Sequence, residues 1–242
     1  MRQISDLSKA RIDDPALVER RRAQLTAAAI ETFSDRGFHS TTIRDVAVRA
    51  GVSIGLIYQY VKDKDDLLLL ALMEVLNSYR RRIPPALDGV ADPLERFCTA
   101  VRAYCHVNGE NREATVLAYR ETKSLSKKRR DLIKQLECET NELLAACVRD
   151  CVAAGLFRRD LDVELFTYQI VMFSHAWALK AWRFASQMAV DEYVDRGLRL
   201  MLFPVLTGAG EARFGSALAA KPAGKASAAA RVAATRKRRR RA

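Results

Sequence analysis

The chain has 242 residues, 49% of them hydrophobic and 29% charged, the balance of an ordinary globular protein with room for one large domain or two small ones. No run approaches the roughly 18 to 20 apolar positions of a membrane span, and the opening MRQISDLSKARIDD is too polar for the apolar segment of a signal peptide, so no membrane partner and a cytoplasmic location are expected. The net charge of +12 invites a nucleic-acid reading, yet residues 207–242 carry ten Lys or Arg against the single acid Glu211, which places most of the excess in the tail.

In chain order, the apolar positions from about residue 15 to residue 206 recur at three and four residue intervals, and no strand pair with a hairpin turn is found; an all-α fold is expected. A first helix near 16–36 presents Leu25, Ala29 and Phe33 on one face, and Gly37 stops it. Thr42 then caps a short helix with Asp45 completing a T-x-x-D box, while Ile43, Val46 and Ala47 face inward. Gly51 supplies a tight turn, Val52 anchors it, and Ser53 caps IGLIYQYV. Asp63 and Asp66 open a long helix over about 64–82, ended by Pro84-Pro85. Asp92, Pro93 and Glu95 mark the start of the next one. Further helices are predicted near 93–107, 111–122, 126–153, 163–186 and 190–206. From residue 207 the chain is rich in Ala, Lys and Arg with almost no large apolar residue, so it cannot bury enough surface to offset its ordering entropy, and a disordered basic tail over 207–242 is expected.

Helix, glycine turn and helix over residues 42–60 form a helix-turn-helix, a motif that lays its second helix in the major groove of DNA. The outward side of that helix offers Gly55 for backbone approach, the hydroxyls of Tyr58 and Tyr60 for phosphates, and Gln59 with a donor and an acceptor for a base edge. Lys64 stands in the first turn of the following helix, where a cation opposes the helix dipole but suits a phosphate. Tyr58 or Tyr60 equally reads as half-buried in a three-helix core, and Lys64 as an ordinary solvated charge.

The run RRAQLTAAAIETFSDRGFHSTTIRDVAVRAGVSIGLIYQYVKDKDDLLLLAL closely resembles the N-terminal domain of TetR-type (TetR/AcrR) bacterial transcriptional regulators, in its helix lengths, its T-x-x-D-V-A-x-x-A-G-V-S-x-G-x-x-Y-x-Y core and the K-x-K that follows. The resemblance implies a helix-turn-helix domain followed by a larger helical ligand-binding and dimerisation domain. It further implies a homodimer on a near-palindromic double-stranded DNA operator, released by a small-molecule effector. Thr42, Tyr58, Tyr60 and Lys64 match family positions that touch phosphates, and Arg44, Gly55 and Gln59 match positions near bases. Arg44 equally suits a phosphate. Two positions depart from the pattern: Val61 replaces a frequent Phe, and Ile54 stands where many members have a polar or basic residue, so that a contact from 54 is expected to be apolar. With the cap Ser53 these residues make up the expected DNA-binding set.

By the same resemblance the last two helices form the dimer interface, for which Val194, Leu198, Met201, Leu202 and Val205 lie on one stripe; that stripe equally suits packing within the subunit. An effector pocket is sought between residues 97 and 184, with Phe97, Tyr104, Tyr119, Arg120, Met172, Phe173 and Trp177 as candidates. The segments YRET and WALKAW look like parts of TetR-type regulators of fatty-acid and acyl-thioester catabolism, which suggests an acyl-CoA or another apolar and anionic ligand, with Arg120, Lys180 and Arg183 as phosphate partners. Five cysteines without a CxxC pair, Cys98, Cys105, Cys138, Cys147 and Cys151, read as reduced thiols, and neither Cys147 with Cys151 nor Cys105 with His106 has further ligands at zinc-site spacing. No metal, cofactor or catalytic motif is found, and an enzyme is not expected.

The domain reading is a short N-terminal stretch over 1–14, the helix-turn-helix domain over 15–63, the ligand-binding and dimerisation domain over 64–206, and the tail. A ligand-responsive regulator, a repressor, is the function expected. The alternatives are an architectural, largely non-specific DNA-binding protein driven by its basic tail, and a small-molecule enzyme with a vestigial DNA domain.

Overall fold

The computed structural model describes residues 14–220. The N-terminal stretch before Asp14 and the basic end from residue 221, with the cluster at 236–241, lie outside the described residues. Helix α1, Pro15–Arg36, begins at Asp14, whose carboxylate accepts from the Ala16 amide at 2.9 Å, and it buries Leu25, Ala29 and Phe33. Thr42 and Asp45 close a reciprocal capping box at the start of α2, Ile43–Ala50. Gly51 then turns the chain with φ 66° and ψ 35°, a left-handed conformation that a side chain disfavours. Ser53 caps α3, Ile54–Tyr60, by accepting from the Leu56 amide at 3.2 Å.

The remaining elements are α4 (Lys64–Leu87), α5 (Pro93–Glu110), α6 (Arg112–Glu121), a 3-10 turn at Thr122–Ser124, α7 (Lys127–Ala153), α8 (Val163–Leu179), a one-turn α9 (Ala181–Phe184), α10 (Val190–Leu202) and α11 (Gly208–Ala219). The only β pairing among the described residues is an isolated bridge between Phe157 and Leu206. The fold is all-α, an N-terminal helix-turn-helix head followed by a larger helical domain.

Several boundaries differ from the sequence expectation: the helix expected over 190–206 ends at Leu202, and that expected over 93–107 runs to Glu110. Helix α4 does not stop before Pro84-Pro85 but continues to Leu87. Proline already has helical φ, and only its missing amide and its ring oppose the helix. Burial of Ile83 and Leu87, with the Arg96 guanidinium donating to the Leu87 and Val90 carbonyls at 2.9 and 3.0 Å, holds that last turn. The helix expected over 163–186 is broken at Lys180 into α8 and α9.

The larger correction is α11. The first part of the expected disordered tail is a helix that buries Phe214, Ala217 and Leu218. Its low-complexity composition hid this, because three apolar residues suffice where the backbone can come close. A Cβ on Gly210 would lie 2.2 Å from the Leu156 carbonyl oxygen, so glycine is what lets α11 seat against that segment. Thr207 caps the helix by accepting from the Gly210 amide at 3.2 Å and itself donates to the Gly155 carbonyl at 2.7 Å. At the other end Arg102, buried on α5, donates to Asp191 at 3.1 Å, Asp195 at 2.7 Å and the Leu218 carbonyl at 3.4 Å, joining α5, α10 and α11.

The centre of the larger domain is polar as well as aromatic. Tyr79 of α4 stacks on Tyr104 of α5 with ring centroids 4.5 Å apart. The Tyr79 hydroxyl donates to the Asn108 side chain at 2.8 Å, Asn108 donates to the Tyr104 carbonyl and to Ser174 Oγ, both at 3.1 Å, and the Tyr104 hydroxyl donates to the Thr140 carbonyl at 2.6 Å. The side chains of Tyr79, Tyr104, Asn108 and Ser174 each have a partner in this network, so α4, α5, α7 and α8 are held in one arrangement.

A chain ended at residue 207 should be less stable than one ended at residue 220. Burying a Phe and a Leu is worth about 1.5–3 kcal/mol each, so the loss expected from Phe214 and Leu218 is about 3 to 6 kcal/mol. Urea unfolding of the two chains measures it, and equal midpoints would show that α11 adds nothing to stability.

Candidate DNA-binding surface

The head packs Val46 and Ala47 of α2, Ile57 and Tyr60 of α3, and Val61 against Leu25, Phe33, Phe38, Leu67 and Leu68. With those positions inside, Thr42, Arg44, Ser53, Gly55, Tyr58 and Gln59 are exposed, and Tyr58 retains 53% of its accessible surface. Val48, one helical turn after Arg44, is 77% exposed and was not singled out in the sequence. Its signal there is the i, i+4 spacing from Arg44, since the two share a face.

Two arginines near this face are already used internally, in three ion pairs. Arg49 reaches back to Asp35 at 2.7 Å and Glu31 at 3.2 Å on α1, and Arg36 pairs with Asp45 at 3.1 Å. The hydroxyl and amide of Thr42 hold the Asp45 carboxyl below its ordinary pKa, with Arg36 adding to the effect, so the capping carboxylate stays ionised. Arg44 makes no hydrogen bond or ion pair among the described residues. Gly55 has no internal reason to be glycine. Its φ is not positive, and a Cβ there would meet only Ser53 Oγ at 3.9 Å.

Three expected contacts are placed differently. Tyr60 is buried at 3% exposure, and its hydroxyl has no hydrogen-bond partner, so it is a core residue of the head. The cause is helical spacing: Ile57 and Tyr60 are three apart and share the inward face, while Tyr58 points away. Lys64 does not extend outward. Its ammonium donates to the carbonyls of Phe38 at 2.9 Å and His39 at 3.2 Å and lies 4.5 Å from the centroid of the Phe38 ring. Ile54 is partly buried against the head core.

In the larger domain the candidate pocket residues do not line one cleft, although the Tyr119 hydroxyl donates to Met172 Sδ at 3.4 Å and Phe173 and Trp177 both pack on Tyr193. Phe97 is fully buried between Phe157 and Phe166, and Tyr104 belongs to the central network. Trp177 is buried against Gly109, where a Cβ would come within 2.9 Å of the indole nitrogen. Phe173 stacks on Tyr193 at 4.4 Å. Tyr119 and Met172 are half exposed, with the Tyr119 hydroxyl 2.8 Å from His175 Nδ1. Burial lowers the His175 pKa to about 4, so its ring is neutral at physiological pH. A cleft of about 690 Å³ opens elsewhere, between α1 and the α5–α6 corner, and of the seven candidates only Arg120 lines it. Two of its acids are taken, Glu31 by Arg49 and Glu110 by Arg82, whereas Arg112 and Arg120 have no ion pair among the described residues.

The expected dimer stripe is also displaced. Val194, Leu198 and Leu202 are fully buried within the subunit, and Met201 and Val205 pack partly against the same core. The exposed apolar residues lie off that stripe: Leu200 on the opposite side of α10, Phe203 just past its end, Leu165 and Met172 on α8, and Trp182 on α9. Cys98, Cys105, Cys147 and Cys151 are buried free thiols, and burial pushes the Cys98 thiol up to about 12, which leaves it protonated and unreactive. His106 is tied to Asp191 at 2.9 Å rather than to Cys105.

Comparison with known proteins agrees with this architecture. The model of bacterial regulatory proteins of the tetR family matches residues 25–71, and the tetracyclin repressor-like C-terminal domain matches residues 90–179. The HTH-type transcriptional regulator HbdR of Aromatoleum sp. (strain CIB) is 49% identical over 203 residues, 84% of this chain and 88% of its own. The HTH-type transcriptional repressor KstR2 of Mycolicibacterium smegmatis is 31% identical over 172 residues, 70% of this chain and 82% of its own. Among solved structures, the ketosteroid transcriptional regulator KstR2 of Mycobacterium tuberculosis superposes with a TM-score of 0.64 at 22% identity, covering 83% of this chain and 99% of that one, a likeness of fold. No helix among the described residues is long and apolar enough to cross a membrane.

Tyr60→Phe separates the buried reading of this side chain from a DNA contact. A buried hydroxyl without a partner costs about 1–3 kcal/mol, so its removal should leave stability equal or higher, and affinity for DNA unchanged. Chemical denaturation and fluorescence anisotropy with a labelled duplex measure both. A weakened complex would return Tyr60 to the contact surface.

Proposed function

The chain belongs to the tetR family of bacterial regulatory proteins, a family of DNA-binding transcriptional regulators and not of enzymes, and from that premise we propose that it acts as a repressor. In this reading a homodimer places its two heads on the halves of a near-palindromic operator, and an apolar, anionic small molecule, an acyl-CoA in the first instance, releases it. The observation that carries the reading is the outward face of the head. Thr42, Arg44, Gly55, Tyr58 and Gln59 are exposed together, while Val46, Ala47, Ile57 and Tyr60 of the same two helices are in the core.

On that face Tyr58 and Thr42 present hydroxyls to phosphates, Arg44 presents an unpaired guanidinium, and Gln59 presents a base-reading amide. One short recognition helix gives too little contact for a specific site, and a two-fold pair doubles it. Dimerisation through α8 and α10 is supported by the apolar residues left exposed there, Leu165, Met172, Leu200 and Phe203. The effector reading is supported by the cleft beside α6, where apolar Ile30 and Leu117 stand with the unpaired Arg112 and Arg120. One solved neighbour is a ketosteroid transcriptional regulator, which agrees with an effector of apolar body.

Binding-site selection with the purified chain gives the operator, and the variants follow. Gln59→Ala should relax preference at one position per half-site, a good bidentate base contact being worth about 1–3 kcal/mol. Tyr58→Phe should weaken all duplexes alike. An unchanged consensus for the Gln59 variant would remove its base-reading role.

Charged replacements at Leu200 and Phe203 should give monomers that fold but lose the operator, as light scattering and circular dichroism would report. A monomeric wild type that still selects a two-fold site would contradict the dimer. For the effector, calorimetry across acyl-CoA chain lengths is the measurement, with Arg120→Ala expected to weaken binding. No heat at any chain length would eliminate this ligand class and leave the regulator.

A further inference from the structure

The stretch KDKDD at residues 62–66 sets three aspartates beside two lysines, next to a face meant for a polyanion. Helix caps account for only part of them. Asp63 accepts from the Asp66 amide at 2.8 Å, and Asp66 accepts from the Lys62 amide at 2.8 Å, while Asp65 caps nothing. All three carboxylates converge on one guanidinium from the other domain, that of Arg129 in the first turn of α7. Its Nη1 lies 3.2 Å from Asp65, and its Nη2 lies 3.2 Å from Asp63 and also bonds Asp66. The Asp66 side chain is 5% exposed and that of Arg129 20%, so this pair is largely desolvated, while Asp65 at 36% and Asp63 at 53% join it from the solvent side.

The cluster continues into the head. Lys64, between the aspartates, binds the Phe38 and His39 carbonyls, and that loop leads directly to Thr42, the cap of α2. A second tie runs from the 3-10 turn before α7, where Ser124 Oγ lies 3.2 Å from His39 Nε2, and Arg130 braces the same turn by donating to the Leu125 carbonyl at 2.5 Å.

We propose that Arg129 is a positioning residue for DNA binding: by gathering Asp63, Asp65 and Asp66 it fixes the first turn of α4 and, through Lys64, the loop from which the DNA-facing helices start. The proposal rests on the head being the DNA-binding element, and on no particular operator or effector. It assigns the sensor domain a direct hold on the reading head through a planar fork able to span several carboxylates at once.

The test uses the sign of charge. Full-length wild type first selects a duplex from a random pool, and affinities for it are measured by anisotropy for wild type, Arg129→Gln, Asp65→Asn and the double variant. If charge alone matters, Asp65→Asn removes a negative charge and binds DNA more tightly, Arg129→Gln binds more weakly, and the double variant, with wild-type net charge, binds as wild type does. Positioning predicts otherwise. Asp65→Asn weakens binding about threefold or more, Arg129→Gln about tenfold or more, and the double variant is no tighter than Arg129→Gln, because each removes the same fork. Tighter binding by Asp65→Asn, or wild-type affinity in the double variant, overturns the proposal. Should Arg129→Gln fail to fold, the sign of the Asp65→Asn effect decides alone. A wild type that selects no duplex removes the premise and the proposal together, and the wild-type chain by itself reports that failure.

Discussion

Helix α4 is buried at both ends of its length, and the rest of the molecule depends on that. Leu67 and Leu68 close the three-helix head, whereas Tyr79 and Ile83 lie in the centre of the larger domain, and all four are inside one continuous apolar core. A close-packed interior does not deform gradually, so a shift or rotation of this helix must repack both cores or neither. The Tyr79–Asn108–Ser174 chain pins its far half to α5 and α8, and the Arg129 cluster pins its first turn to α7. The two domains distinguished by their family models are thus joined mechanically by a shared element rather than by a linker.

Much of this was legible in the residues. The caps Thr42, Ser53, Asp63 and Asp92 stand where the sequence put them, because an N-cap is a local matter between one side chain and amides two or three residues on. Helix existence was legible for the same reason that apolar spacing is: every long element buries a face. Burial of Leu25, Ala29, Phe33, Val46 and Ala47 follows from their spacing alone. Several outward residues of the head were legible too, since a helix of seven residues with Ile57 inside leaves Gly55, Tyr58 and Gln59 outside.

What the sequence did not disclose are choices between two partners of equal chemical merit. A lysine at position 64 suits a phosphate or a pair of carbonyl oxygens, and only the path of the loop at Phe38 and His39 decides. A tyrosine at position 60 suits a phosphate or a core. On α10 the stripe of Val194, Leu198 and Leu202 faces its own subunit, and the exposed apolar residues are Leu200 on the opposite side of the helix and Phe203 just past its end. Aromatic residues between 97 and 184 were candidates for a ligand wall, but Phe97, Tyr104 and Trp177 are filled in by neighbours from distant segments. For α11 the missing information was a glycine's value at a close approach, which depends on where Leu156 lies.

A surface that serves a partner is marked by side chains whose chemistry the fold itself does not consume. Arg49 and Arg36 are consumed, by α1 and by the capping carboxylate; Lys64 is consumed by a loop. Arg44 is not, Tyr58 is not, and Gly55 lacks a side chain where neither backbone angle nor neighbouring atoms require it. A buried glycine such as Gly197, where a Cβ would fall 2.2 Å from the Phe173 ring, is explained within the chain. An exposed helical glycine is not, and ordering it costs more backbone entropy than ordering an alanine would. At Gly55 that cost is offset only if something outside the chain comes close to the backbone, and the flanking Ser53, Tyr58 and Gln59 are the groups that would meet it.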